Sequence, residues 1–269
     1  MTALDLPRKR ATQMVMTSGK QGRARGKIQI GTADPSLTAA GGMIAVTELC
    51  GKLALIEALD AGIGPVKARR RGFTGGQVLT GMAAAQLAGE DFLVGLDRLR
   101  ADEAGQQVTP VPGLASSTAT GLARRFTPKH WRGAEAGLAA TRAVACEYWY
   151  RHRTSTGNIF GDSKHGAALR HLPSGDEQAS TAWMWASLIA AAIAAWLHQL
   201  TGLISGGELL EGHGTRGGKA MIATLRRALI LTPARLVSHG GQLIMRLAPG
   251  APLLPDVLTT IRALPAPSG

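Results

Sequence analysis

The spacing of apolar residues predicts a chain built mostly from helices. From Gly42 to about Ala61, residues Met43, Val46, Leu49, Leu53, Ile56 and Leu59 recur every three or four positions. That is the period of one buried helix face. Gly62 and the pair Gly64–Pro65 end the helix, since neither residue type continues it well. A second helix is expected near Gly75–Leu87 and a third near Asp91–Ala101, followed by a loop over 105–115 that holds two prolines. Ser116 or Ser117 can cap a short helix to Phe126, and Thr127 can cap the next, with Pro128 in its first turn. That last helix runs through Trp131 toward Tyr150, and the stretch 116–150 has the outline of a helix-turn-helix.

Beyond residue 175 the pattern changes. Residues 180–201 form an apolar helix whose central part, 182–197, carries no charge. Sixteen helical residues span about 24 Å, less than the roughly 30 Å of a bilayer's hydrocarbon, so a buried helix is expected and no membrane partner. A loop covers 206–218 and a short helix Lys219–Leu229. Around Gly240–Gly241, polar and apolar residues alternate on both sides, as in a β-hairpin with a two-residue turn. The tail from Leu254 reads as a short helix with a Pro-rich end. Near the start, Lys27–Gly31 has the pattern of a short strand.

Charge gives this outline a direction. The chain of 269 residues has a net charge of +12. Residues 1–40 hold seven Lys/Arg against two acids, 41–147 twelve against ten, and 148–269 eleven against six. The surplus sits at the two ends. A polyanionic partner is expected, DNA first. The basic arm with Arg8, Lys9, Arg10, Arg23 and Arg25, and the run with Arg69, Arg70 and Arg71, are the first candidate phosphate contacts. The two cysteines, Cys50 and Cys146, have no metal-ligand spacing and form no disulfide framework. The first residues lack the apolar run of a signal peptide, and a cytoplasmic location is expected.

One spacing carries chemistry. Tyr150, Arg153, Gly157 and Lys164 stand in the order Tyr-(2)-Arg-(3)-Gly-(6)-Lys. This resembles the DDE transposases of bacterial insertion sequences, which carry Tyr-(2)-Arg-(3)-Glu-(6)-Lys around their third catalytic acid. The flanking text YRHRTSTGNIFGDSKHGAALRHLPSG, the helix AWMWASLIAAAIAAWLHQLTG and the upstream blocks GMAAAQLAGEDFLVGLDRLRAD and PGLASSTATGLARRF are similar to that family as well.

The resemblance implies an RNase H-like fold, two Mg²⁺ ions held by three carboxylates, and DNA bearing terminal inverted repeats as the partner. Arg153 and Lys164 are then expected to contact phosphates. In-line phosphoryl transfer needs the two ions to activate the attacking oxygen and to stabilise the leaving one. Here Gly157 stands at the third acid's position and can ligate nothing. Asp162 lies five residues on, rotated by about 140° on a helix. His165 and His171 lack the spacing of a metal pair. No Asp occurs anywhere in 116–150, where strands bearing the first two aspartates would precede the motif.

The expected protein is therefore mainly α. It has a basic arm (1–40), a helical DNA-binding region (41–147) and the C-terminal remnant of an RNase H-like α/β domain (148–269), joined by an internal deletion. Its motif residues Tyr150, Arg153, Gly157 and Lys164 are inactive. No cofactor is bound, although the intact family uses Mg²⁺. The partners are DNA and a homo-oligomer, or an oligomer mixed with intact transposase. A further expectation follows from the deletion. The helix bearing Trp183, Trp185, Ile189, Ile193 and Trp196 loses its sheet and is only partly covered by Leu49, Leu53 and Ile56, leaving an exposed patch.

Overall fold

The computed structural model describes residues 32, 34–68, 71–143, 166, 168, 173–201, 215–216, 219–220, 222–249 and 253–264. From Pro35 onward the chain forms one compact unit. Among the described residues it is mainly helical, with a small antiparallel sheet of three strands. The strand expected at 27–31 lies outside the described residues.

The helix expected over Gly42–Ala61 is two helices, α1 (Met43–Lys52) and α2 (Leu55–Ile63). The break is at Ala54, whose φ of 48° and ψ of 40° place it in the left-handed region. The turn shifts the buried face by one position. Met43, Val46 and Leu49 are buried on α1, but on α2 the core residues are Leu55, Leu59 and Ile63, not Ile56. A three-to-four period survives such a slip almost unchanged, which is why the pattern reads as one helix.

Next comes α3 (Gly75–Ala88), close to its expected bounds. Thr74 and Gln77 form a reciprocal capping box: the Gln77 N–H donates to Thr74 Oγ1 at 3.2 Å and the Thr74 N–H to Gln77 Oε1 at 2.9 Å. At the other end Gly89, with φ of 101°, closes the helix as glycine can without a Cβ penalty. Every residue from Val78 to Leu87 is buried, so α3 is the centre of the fold. The third expected helix is shorter than its pattern, α4 (Gly95–Ala101), and a single 3₁₀ turn lies at Gly105–Gln107.

The hairpin α5 (Ser116–Ala123) and α6 (Pro128–Ala143) follows. α6 packs on α2 at close range through glycines. A Cβ on Gly62 would overlap the Gly133 carbonyl, and one on Gly137 would meet the Ala58 carbonyl.

The apolar helix is α7 (Glu177–Thr201), 25 residues long. Glu177–His198 is long and apolar enough to cross a membrane by length and composition. Trp183, Ile189, Ile193, Trp196 and Leu197 are nonetheless buried, packed chiefly against α3. Trp185 is half-buried, its ring parallel to that of Trp131 at 6.3 Å. The expectation of incomplete cover is overturned. The cover comes chiefly from α3, buried from Val78 to Leu87, whose Gln86 reaches the Trp183 carbonyl, rather than from Leu49, Leu53 and Ile56 alone. Met184 remains exposed on its outer side.

The segment expected as a helix at Lys219–Leu229 divides. A two-residue ladder joins β2 (Thr215–Arg216) to β3 (Lys219–Ala220), followed by α8 (Ile222–Leu225) and a π-helical turn, Arg226–Ile230. The expected hairpin forms between β4 (Ala234–His239) and β5 (Gln242–Leu247). Its turn residues Gly240 and Gly241 have φ of 58° and 77°, the signs that a two-residue primed turn requires. β1 (Leu37–Thr38) adds to the β4 side, giving the order β1-β4-β5. The chain closes with α9 (Leu253–Ala263), held to α1 by a bidentate pair between Arg262 and Glu48. Lys52 Nζ also donates to the carbonyls of Arg262 and Leu264, each at 3.1 Å.

Two outcomes test this packing. An alanine in the left-handed region costs about 1–2 kcal/mol, so Ala54→Gly is expected to raise the melting temperature by a few degrees. Gly133→Val forces backbone apart at the α2–α6 crossing and is expected to lower stability by at least about 1–3 kcal/mol, read by urea unfolding. An Ala54→Gly protein no more stable than the parent would show that the α1–α2 turn is not strained.

Candidate nucleic-acid interface

Most sequence-predicted site residues lie outside the described residues: Arg8, Lys9, Arg10, Arg23, Arg25, Arg69, Arg70, Tyr150, Arg153, Gly157 and Lys164. Of that set only Arg71 is described, and it is exposed. It ends a loop folded by a neighbour. The Lys67 ammonium donates to the Arg71 carbonyl and, at 2.7 Å, to that of Phe73. Lys67 thus serves the loop's own backbone.

The motif's downstream tract is described at Gly166 and Ala168. Arg226 binds it. The guanidinium donates to the Gly166 carbonyl and also to Gln86 O at 2.7 Å and Leu87 O at 2.8 Å. A cation there meets the negative end of α3 and joins the Gly89 N–H, 3.1 Å from Gln86 O, in satisfying the helix's last carbonyls.

The loop at 67–71 has basic company that sequence reasoning missed. Val66 and Phe126 both reach the space beside Gly75, each about 3.2 Å from where its Cβ would stand. Val66 precedes Lys67, and Phe126 follows Arg125, so the start of that loop and the α5–α6 turn are neighbours. On that turn and the first coils of α6, Arg124, Arg125, Lys129 and Arg132 are exposed. Lys129 and Arg132 are three apart and share a helix face. The signal was present in the polar face of α6, but unbroken runs such as KARRR draw attention first.

The hairpin is held by carboxylates behind it. Asp97 accepts from the Ser116 N–H at 3.1 Å and from the Ser116 hydroxyl, which fixes the start of α5. Asp176 accepts from the Ala179 N–H at 2.9 Å, capping α7, and from Arg124 Nε at 2.9 Å, tying the end of α5 to it. Thr127 begins α6, its N–H donating to His130 Nδ1 at 2.9 Å. Phe126 then stacks on Trp131, with centroids 4.4 Å apart. Glu135, one turn beyond Trp131, is the acid exposed on this face.

Chemically, the arrangement can bind a polyanion at several points. For Mg²⁺ chemistry the ligands are not assembled among the described residues. They contain no group of three or more His, Cys, Asp or Glu, and β1, β4 and β5 carry no carboxylate. Burial pushes the Cys50 thiol up to about 12, with Glu57 adding to the shift, which makes it unreactive. Comparison with protein-family models, curated proteins and solved structures found no match.

Acid should loosen this assembly. Hydrogen bonds from Ser116 hold the Asp97 carboxyl below the usual range, and the Ala179 N–H, with Arg124, does the same for Asp176. A carboxyl depressed in the folded state adds stability that is complete above its unfolded value, about 3.9. That contribution is lost as pH falls through the folded value. Melting temperature is expected to drop below about pH 4, and Asp97→Asn should flatten part of that acid limb. An Asp97→Asn variant with the parent's full acid limb would remove Asp97 from this account.

Proposed function

We propose that this chain is a DNA-binding relative of the DDE insertion-sequence transposases that does not cut DNA. The observation that carries the binding half is the set of exposed basic residues Arg125, Lys129 and Arg132 on the α5–α6 hairpin, with exposed Arg71 a few residues after Val66, which packs beside Gly75 as Phe126 does. A net charge of +12 and the basic arm at 8–25 support it. The family half rests on the motif Tyr150, Arg153, Gly157, Lys164 and its long flanking similarity. On this reading the helical front and the RNase H-like remnant are pieces of one ancestral transposase, and the DNA is that of an element's terminal repeats. The glycine at 157 turns the protein toward inhibition. A chain that occupies those ends, or joins an intact transposase's oligomer, without supplying the third acid would block transposition. The setting is the cytoplasm, with α7 as a core helix.

Binding is expected to be electrostatic. Log affinity for a duplex should fall with log salt by about 0.9 for each phosphate contact. Lys129→Gln with Arg132→Gln should reduce that slope by roughly 1.8, measured by fluorescence anisotropy. Affinity for duplex DNA that does not change with salt would sink the proposal. Mg²⁺-dependent nicking of an element's ends, abolished by chelator, would overturn the inactive half.

A further inference from the structure

The three-stranded sheet ends on an open strand. In the order β1-β4-β5, β1 lies along part of β4, while among the described residues no strand lies beyond β5. In an antiparallel ladder a residue's N–H and C=O point to the same side, and the side alternates along the strand. The Leu236 N–H donates to the Ser36 carbonyl at 2.8 Å, toward β1. Leu236 is paired with Met245, so Met245 turns its own N–H and C=O away from β4. Leu243 and Leu247, two residues to either side, do the same. Three donor–acceptor sets therefore line the open edge.

Proteins usually blunt such an edge with proline, lysine, a bulge or a charge turned inward. β5 has none of these. Its sequence QLIMRL holds no proline and a single charge, Arg246, and its register with β4 runs unbroken from Gln242 to Leu247. Apolar side chains stand on both of its faces. On the side that carries Leu236 into the core, Met245 and Leu247 are half-buried and Leu243 is 49% exposed. On the outer side Ile244 is exposed. β1, at the other edge of the sheet, is only two residues long.

We propose that β5 pairs with β5 of a second copy of this chain, antiparallel and about a twofold axis, so that two three-stranded sheets join into one of six. A strand that meets its own copy antiparallel is self-complementary, as an isologous dimer requires. Only Leu243, Met245 and Leu247 have free edge groups, so the axis passes through Ile244 or Met245. Charge selects Ile244. An axis at Met245 sets the two copies of Arg246 diagonally, about 7–8 Å apart. An axis at Ile244 sets Arg246 opposite the partner's Gln242. The two arginines are then four residues apart along the strand, about 13 Å at roughly 3.3 Å per residue. That exceeds the roughly 10 Å over which 0.1 M salt screens a charge. In this register Leu243 exchanges backbone hydrogen bonds with the partner's Met245, and its exposed side chain lies beside it. On the outer side Ile244 meets the partner's Ile244.

The pairing needs no DNA, so its failure leaves the proposed function standing. The oligomeric state of the full chain is read by analytical ultracentrifugation at several concentrations. The parent is expected to reach twice the chain's mass as concentration rises. Ile244→Lys sets two cations face to face at the axis. Leu243→Pro removes an edge N–H that serves no bond within the hairpin. Each is expected to raise the dimer's dissociation constant at least about tenfold. The melting temperature of the dilute monomer should stay within a few degrees of the parent's, which separates lost contact from lost fold. In a Cys146→Ser background, oxidation of Ile244→Cys by diamide is expected to link two copies. Directly opposed residues of a non-hydrogen-bonded pair lie about 4.5 Å apart, within disulfide reach. Met245→Cys, set diagonally, should not link. A parent that stays monomeric across the series overturns the proposal, as does a dimer that both edge variants leave intact. Linking through Met245→Cys in place of Ile244→Cys overturns the register and the charge argument with it.

Discussion

A helix that is apolar on nearly every side can be stable in water only if other helices surround it, and α7 is such a helix. Its partner α3 is itself buried from Val78 to Leu87 and packs along it. Gln86 Nε2 donates to the Trp183 carbonyl at 3.0 Å, a polar tie inside the seam. Each large side chain so buried contributes about 1.5–3 kcal/mol, while a whole domain's net stability is roughly 5–15 kcal/mol. Exposure of a few of these residues would therefore undo the fold. The remaining helices surround this pair. Arg226 closes the end of α3, and Asp176 closes the start of α7.

The charged surface follows from that neutral interior. With the core filled by Ala, Leu, Ile and Trp, the arginines and lysines stay at the rim, and local carboxylates decide which of them are committed. Glu48 takes Arg262, Glu90 takes Arg98 and Asp176 takes Arg124. All three pairs are exposed on the arginine side and hold elements in place more than they stabilise them. Arg125, Lys129 and Arg132, at the α5–α6 turn, lie on the hairpin that Asp97 and Asp176 anchor from behind. A rigid mount matters for a phosphate contact, because a basic side chain on a fixed helix loses less freedom on binding than one on a loose arm.

Much of the architecture was legible in the sequence where a residue's chemistry acts locally. The proline at 128, the glycine pair at 240–241 and the helical period of 75–87 depend only on neighbours in the chain, and the corresponding elements formed; the serine cap expected at Ser116 or Ser117 did not, since α5 starts at Ser116 behind an uncapped Ala115. What depended on contact was less legible. The break at Ala54 leaves the apolar period intact, since its one-position slip still puts Leu59 inward. The segment at 219–229 reads as one helix because its residues favour one, yet Gly42 lies against the Leu229 carbonyl and the segment there is a π-helical turn. The cover over α7 was not legible either: the resemblance implies a sheet there, whereas the helix packs chiefly on α3.

The sequence by itself determined the mainly helical class, the terminal hairpin, the basic surplus and the glycine at position 157, because each is a matter of residue type, period or spacing. Only the tertiary structure decided which charges stand together. Lys67 and Arg125 are 58 positions apart in the chain, and nothing local tells that Phe126 packs beside Gly75 and Val66. Arg235 and Arg246 became a pair only when a two-residue turn set the register of β4 against β5. Charge proximity depends on distance through space, and distance through space depends on how the core closes.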